Sequence, residues 1–309
     1  MYRNFFGLSV PPFEMSPDPR FLYMMPQIRE SLACLQYGIA QKKGFVVLTG
    51  EVGTGKTILL RTVLNSFVQK HLSSAFVFNP RFDVLDFLEF VLTDFGICPQ
   101  SRTKSGMLLQ LNHWLVDRHR EGGICVLVID EAQNLSPELL EEIRLLTNLE
   151  TGSEKLLQVV LAGQPELDDI LRQPNLRQLQ QRIAIRCKTQ ALTSEQAQAY
   201  LHARLRVAGA RENVFTPEAV QAVYHFSNGI PRIINLICEH ALITAYAEET
   251  KPVPARIVEL VSTELELDQQ FEGLPNPSPR PVASLLPAKL PPRSASVVFS
   301  SRWKQDGDR

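Results

Sequence analysis

Thr49–Thr57 reads TGEVGTGKT, and Thr49 also closes the apolar run FVVLT that begins at Phe45. The stretch fits the spacing G-x-x-x-x-G-K-[ST] as Gly50, Gly55, Lys56 and Thr57. Each residue type has a physical task in such a loop. Glycines let successive backbone N–H groups turn inward and wrap a β-phosphate. The lysine brings a cation to the β- and γ-phosphates, and the threonine hydroxyl is a ligand for Mg²⁺. Glu51, Val52, Gly53 and Thr54 fill the loop between the two fixed glycines, and Ile58 leads into a helix predicted over Ile58–Gln69. The N-terminus of that helix points at the anion. A bare glycine turn has no need of a strand before it and a helix after it, and both are here. The spacing therefore predicts a phosphate cradle over Gly50–Ile58.

A cradle needs an acidic pair at the end of another strand. Ile124–Glu131 reads ICVLVIDE, six apolar residues and then two carboxylates. Asp130 is expected to hold Mg²⁺, and Glu131 to polarise an attacking water as general base. A glutamate at this place points to hydrolysis of the nucleotide rather than storage.

Five short apolar runs read as strands covered on both faces: Phe45–Thr49, Ala75–Asn79, Ile124–Ile129, Leu157–Ala162 and Ile183–Cys187. Helical spacing fills the gaps, so the expected architecture is a parallel sheet with crossover helices. After Lys188 the strands stop. Thr193 opens a helix with a Thr-x-x-Gln start and Gly209 as its stop; Thr216–Pro217 opens a second, Pro231 a third, and a fourth runs over Ala255–Leu267. From Gly273 the chain turns proline- and serine-rich without periodicity, which reads as a disordered tail. The expected organisation is an aromatic and proline collar with a first helix over residues 1–40, an α/β core over 41–190, a helical domain over 191–268 and the tail over 269–309.

Composition sets limits. The formal net charge is −1, so no bulk electrostatic grip on nucleic acid or anionic lipid is expected. Five scattered cysteines without a CxxC pair argue against a disulfide framework or a zinc site and suit a reducing cytosol. Cys125 and Cys187 lie in apolar runs and are expected to pack. No secretory signal is read at MYRNFFGLSVPPF, and no window approaches the ~18 apolar residues of a membrane span. Any membrane role would come through a partner.

GEVGTGKT, VIDEAQ and a helical domain after the sheet resemble the AAA+ P-loop ATPases. YRNFFGLSVPPFEMSPDPRFLY, GFVVLTGEVGTGKT, VIDEAQNLSPELLEEIRLLTNLET, LAGQPEL, LQQRIAIR and NGIPRIINLICEHAL sharpen this to the ExeA (GspA) type, over about residues 1–265. The resemblance implies ATP and Mg²⁺ as ligands, a helical lid, and roles for three further residues. Gln164 matches the polar sensor that contacts the γ-phosphate and the attacking water. Arg182 matches the arginine finger that reaches a neighbour's site, with Arg177 as its rival. Arg232, after Gly229–Ile230–Pro231, matches the lid sensor. It also implies that Phe5, Phe6, Phe13 and the rest of Tyr2–Tyr23 pack beside the adenine or simply on the core. Relatives of this type often continue into a membrane span and a peptidoglycan-binding domain, which the loose tail does not offer.

Two classes of function follow from the resemblance. One is a cytoplasmic, ring- or spiral-forming ATPase that drives assembly of a secretion or cell-envelope export system through a membrane-associated protein partner. The other is a DNA-transaction ATPase of the transposition-helper kind. A nucleotide-gated scaffold is the blander third reading, and Glu131 speaks against it. Basic residues are spread and balanced by acids, apart from a modest cluster over Arg172–Lys188 that also holds the finger candidates. That distribution favours the first class over the second.

Overall fold

The computed structural model describes residues 1–15, 19–67, 71–152 and 154–267. Five strands, β1 (Phe45–Thr49), β2 (Leu72–Val77), β3 (Ile124–Ile129), β4 (Leu157–Gly163) and β5 (Ile183–Lys188), form one parallel sheet in the order β2-β3-β4-β1-β5. The collar and core carry α1 (Tyr2–Phe6), α2 (Pro26–Ala40), α3 (Lys56–Asn65), α4 (Val84–Asp94), α5 (Lys104–Arg120), α6 (Pro137–Leu146), α7 (Glu166–Leu171) and α8 (Arg177–Arg182). Four helices follow the sheet: α9 (Ser194–Val207), α10 (Pro217–Ser227), α11 (Pro231–Ala247) and α12 (Ala255–Glu264).

Alternation along each strand sends side chains to two separate cores. Phe45, Val47, Leu127, Ile129, Val159 and Leu161 face one side, against α4, α5 and α6. Val46, Leu48, Val126, Val128, Val160 and Ala162 face the other, against Leu35 and Ile39 of α2 and Leu59, Leu60 and Val63 of α3. The three central strands are buried almost throughout, as double-faced strands must be.

A third core belongs to α9–α12, and the N-terminal collar joins it. Phe6, Leu8, Phe13 and Met25 are buried among Leu201, Leu205, Phe215 and Ile234. The Ser9 N–H donates to the Ala208 carbonyl at 2.7 Å, and the Tyr2 hydroxyl donates to Glu239 Oε1 at 2.7 Å. The expected unit of residues 1–40 therefore divides: the collar packs with the helical region, and α2 packs on the sheet. The caps are as the sequence spells them. Thr193 and Gln196 form a reciprocal capping box, and the Thr216 hydroxyl accepts from the Ala219 N–H.

Several expected boundaries are corrected. β2 runs over Leu72–Val77 rather than Ala75–Asn79, because its six residues pair one-to-one with Ile124–Ile129. Neither β2 nor β5 is covered on both faces. They are the sheet's edges, and β5 alternates between exposed and partly or fully buried residues. The helix after the cradle starts at Lys56 and ends at Asn65, and the fourth helix of the C-terminal region ends at Glu264. The proline- and serine-rich tail, with its SVVF and Trp303, lies outside the described residues. Among the described residues, no helix is long and apolar enough to cross a membrane. The five cysteines are free, with Cys125, Cys187 and Cys238 buried.

Asp168 on α7 joins the C-terminal ends of the adjacent strands β1 and β5. It accepts from the Thr49 hydroxyl at 3.2 Å and from Arg186 Nη1 at 2.9 Å, and pairs with Lys188 at 3.1 Å. Burial pushes its carboxyl up, but Lys188, Thr49 and Arg186 together hold it below its ordinary value. A depressed carboxylate stabilises the fold above its unfolded pKa, and that contribution fades as pH falls through the folded value. Asp168→Asn is expected to cost about 1–3 kcal/mol at neutral pH, since it weakens hydrogen bonds from two cations. The difference from the parent should shrink below about pH 4 in urea unfolding. A gap that stays constant into acid would refute the electrostatic account.

Candidate nucleotide site

The loop from Gly50 to Gly55 owes its shape to close backbone approaches. Gly53 and Gly55 sit at φ +81° and +95°, in the left-handed region that a side chain disfavours. The Thr54 hydroxyl donates to the Glu51 carbonyl at 2.7 Å and shares a 2.7 Å hydrogen bond with the Thr189 hydroxyl. The loop is thereby pinned to the segment that leaves β5. Lys56 is buried, and its ammonium donates to the Gly50 and Glu51 carbonyls at 2.7 and 3.0 Å. Burial lowers its pKa, against the opposing pull of Glu131, Asp130 and Glu51. Glu51 and Val52 are exposed at the loop's outer edge, and Ile58 lies in the first turn of α3.

β3 delivers the acidic pair beside the cradle. The Thr57 hydroxyl donates to Asp130 Oδ2 at 2.8 Å, and Asp130 is only 5% exposed. A hydroxyl and a carboxylate oxygen in contact, at the mouth of a phosphate loop, fit the oxygen-only, partly hydrated coordination that Mg²⁺ prefers. Glu131 takes a left-handed conformation, φ +52°, and its N–H donates to Asp130 Oδ1 at 3.0 Å. Its Oε2 accepts from Gln133 Nε2 at 2.6 Å and from Gln164 Nε2 at 3.3 Å. Gln164 follows directly on β4, and its N–H donates to Gln133 Oε1 at 3.1 Å. The structure thus brings together Lys56, Thr57, Asp130, Glu131 and Gln164. It adds Gln133, whose signal was present in the run DEAQ but went unread.

The helical region closes over the cradle. The Arg232 N–H donates to the Gly53 carbonyl at 3.2 Å, and the Arg232 side chain is exposed. A Cβ on Gly53 would lie 2.7 Å from Arg232 Cβ, so glycine is what allows this approach. A cavity of about 340 Å³ extends from the loop, walled by Phe21 and Tyr23 of the collar and by Leu192, Tyr200, Arg204 and Asn235 of the helical region. Phe6 and Phe13 are packed in the helical core instead, with Phe5 against it. The Tyr200 phenol is buried, which raises its pKa despite the Arg204 charge. Arg204 escaped the sequence reading, although a signal existed. It falls on the apolar stripe of α9 with Ala197, Tyr200, Leu201 and Leu205, where a charge is out of place.

Arg182 is the site candidate that the structure sets apart. It ends α8, next to Ile183, which pairs with Phe45 at the start of β1. The cradle follows the other end of β1, so Arg182 lies at the opposite end of the sheet. Its Nη1 donates to the Arg144 carbonyl, the Thr147 hydroxyl and Asn148 Oδ1, at 3.2, 3.2 and 2.6 Å. Its rival Arg177 is exposed at the first turn of the same helix.

A parallel sheet of this order, a glycine cradle, an acidic pair and a helical lid define the P-loop AAA+ fold. Residues 39–171 match the family described as AAA domain, and the chain has the AAA+ fold. It is 45% identical over 267 residues to the general secretion pathway protein A of Aeromonas hydrophila. The match covers 86% of this chain and 48% of that protein, so the chain spans about half the length of this curated relative. Among solved structures, Cdc6p of Pyrobaculum aerophilum superposes with a TM-score of 0.67 at 19% identity, covering 83% of this chain and 72% of that one. The Aeropyrum pernix ORC1 protein in complex with DNA gives 0.64 at 18%, covering 83% and 69%. At these identities the likeness is one of fold.

The left-handed turn at Glu131 predicts a trade of stability for function. Glu131→Asn introduces a residue type that tolerates this backbone. Its stability in urea is expected to be within about 1 kcal/mol of the parent or above it, despite the lost carboxylate contacts. A loss beyond about 2 kcal/mol would show that the Gln133 and Gln164 contacts outweigh the backbone strain.

Proposed function

We propose that this chain binds ATP with Mg²⁺, hydrolyses it, and uses the cycle to drive assembly of a secretion or cell-envelope export system. The observation that carries the hydrolytic part is Glu131, held by two glutamine amides beside the Thr57–Asp130 pair. The pathway rests on the similarity to general secretion pathway protein A over about half of that protein's length.

Chemistry follows from the residues. Lys56 exchanges the Gly50 and Glu51 carbonyls for phosphate oxygens, and the loop N–H groups wrap the β-phosphate. Thr57 and Asp130 would hold Mg²⁺, which would offset the negative charge of the phosphates. Glu131 accepts the proton of the attacking water, and Gln164 orients that water against the γ-phosphate. Arg232, at the start of α11, senses the phosphates from the lid. Arg182 cannot serve the cradle of its own chain from the far end of the sheet. In this reading it completes a neighbour's site, so the working form is a ring or spiral of identical chains. Its partner is a membrane-associated secretion or envelope protein, which recruits a cytoplasmic ATPase to the inner membrane.

The DNA-transaction reading draws no support from the charges. In the basic cluster over Arg172–Lys188, Arg172 pairs with Asp169, while Arg186 and Lys188 pair with Asp168. A large, salt-sensitive rise in ATPase rate on titration with double-stranded DNA would nonetheless reverse this ordering. A flat response with basal turnover keeps the assembly factor in front.

Two sets of variants test the mechanism. Glu131→Gln is expected to slow turnover by about 10²-fold or more while MgATP still binds, and Lys56→Ala is expected to lose binding. Unchanged turnover in Glu131→Gln would remove the general base. Arg182→Ala should also be slow. Mixing it with Glu131→Gln should restore part of the rate, since some sites then combine an intact Glu131 with a neighbour's intact Arg182. A mixture no faster than its components would rule out a finger in trans.

A further inference from the structure

The helical wall of the cavity carries a hydrogen-bond chain with a fixed direction. Arg204 is 6% exposed and can only donate. Its Nε donates to the Pro12 carbonyl at 2.5 Å, and its Nη1 donates to the Tyr200 hydroxyl at 2.7 Å. Its guanidinium lies 4.7 Å from the Phe21 ring, 5.6 Å from that of Tyr200 and 6.0 Å from that of Phe13. Because the phenol accepts from Arg204, its single proton goes to Asn235 Oδ1, 3.0 Å away. The amide of Asn235 is thereby oriented, with Oδ1 toward Tyr200 and Nδ2 away from it.

Asn235 is 8% exposed and lines the cavity from α11, one turn beyond Arg232. Its Nδ2 makes no hydrogen bond to any described residue. The residue is largely buried, but its Nδ2 is open to the cavity, so this donor is free to meet an acceptor that arrives with a ligand. Phe21, Tyr23 and Leu192 give the surrounding wall an aromatic and apolar part, beside polar residues such as Gln27 and Gln190. It suits a base and sugar, whereas phosphate belongs at Lys56 and the loop amides.

We propose that Asn235 Nδ2 donates to the nucleoside half of the bound nucleotide, to a purine ring nitrogen or a ribose oxygen, and that Tyr200 and Arg204 position it. This rests on the nucleotide-binding reading above and assigns the residue that recognises the ligand away from its phosphates.

The test is calorimetric titration of MgADP, which involves no turnover, into the full chain and into Asn235→Leu and Tyr200→Phe. ADP analogues that each lack one acceptor (2′-deoxy, 3′-deoxy, 1-deaza, 3-deaza and 7-deaza) are titrated in parallel. Asn235→Leu is expected to weaken MgADP about five- to tenfold, the size of one hydrogen bond, and Tyr200→Phe about two- to threefold. One analogue should bind the unaltered chain with the Asn235→Leu penalty and bind Asn235→Leu with none, which names the atom read. Equal MgADP affinity in Asn235→Leu, or analogue penalties that persist in it undiminished, would overturn the assignment. Should Asn235→Leu lack a thermal unfolding transition, the analogue penalty must shrink in Tyr200→Phe, and a penalty of full size there overturns the assignment equally. An unaltered chain that fails to bind MgADP overturns the nucleotide reading itself and this inference with it.

Discussion

Two close approaches that glycine allows hold the cradle to the path into the helical region, and a third closes that path on itself. A Cβ on Gly50 would lie 2.0 Å from the Thr189 hydroxyl oxygen; on Gly53, 2.7 Å from Arg232 Cβ; on Gly229, 2.0 Å from the Leu192 carbonyl oxygen. Gly50 and Gly53 belong to the loop, while Thr189, Leu192, Gly229 and Arg232 belong to the path from the sheet into the lid. The loop is thus the floor of the lid as well as a binder of anions. Any ligand that moves the loop's carbonyls meets Arg232 directly, through its 3.2 Å hydrogen bond to Gly53. Glycine in the phosphate motif is usually explained by the inward N–H groups it permits. Here the same residues also remove the bulk that would hold the two regions apart.

What could be read in the sequence divides along a physical line. β1, β3 and β4 were legible because burial on both faces forces an unbroken apolar run, and the acidic pair was legible because it interrupts one. β2 was misplaced because an edge strand tolerates Ser73 and Ser74, while Phe78, outside the ladder, stays more than half exposed with its ring stacked 4.3 Å from Phe76. The cradle and its caps were legible because they are local. The collar's attachment was not, since it depends on pairs such as Arg204 with Pro12, 192 positions apart. Spacing rules give no access to contacts of that range.

Arg204 shows how the fold accommodates a buried charge that pairs with no carboxylate among the described residues. Its donors go to two collar carbonyls and one phenol, and its flat faces go to aromatic rings, which attract a cation through their quadrupole. Guanidinium is weakly hydrated and pre-organised, so it suffers less from such a site than an ammonium would. The consequence is structural economy, because one side chain fastens the collar, forms a wall of the cavity and sets the direction of the hydrogen bonds that follow.

The same kind of economy joins the Glu131–Gln164 end of the site to the helical region. Gln164 touches Glu131, and α7 begins two residues later. Within its first turn α7 places Asp168 against Thr49 before the cradle and against Arg186 and Lys188 of β5. Lys188 is followed by Thr189, whose hydroxyl meets Thr54 and whose neighbours lead into α9. Gln164, the loop and the segment that leads into α9 therefore converge on one carboxylate. A displacement of Gln164 carried along α7 must either take β5 and Thr189 with it or separate Asp168 from its two cations. Separation would leave a buried charge uncompensated, which proteins resist far more strongly than a small shift of a strand. The stiff path is thus the one that transmits.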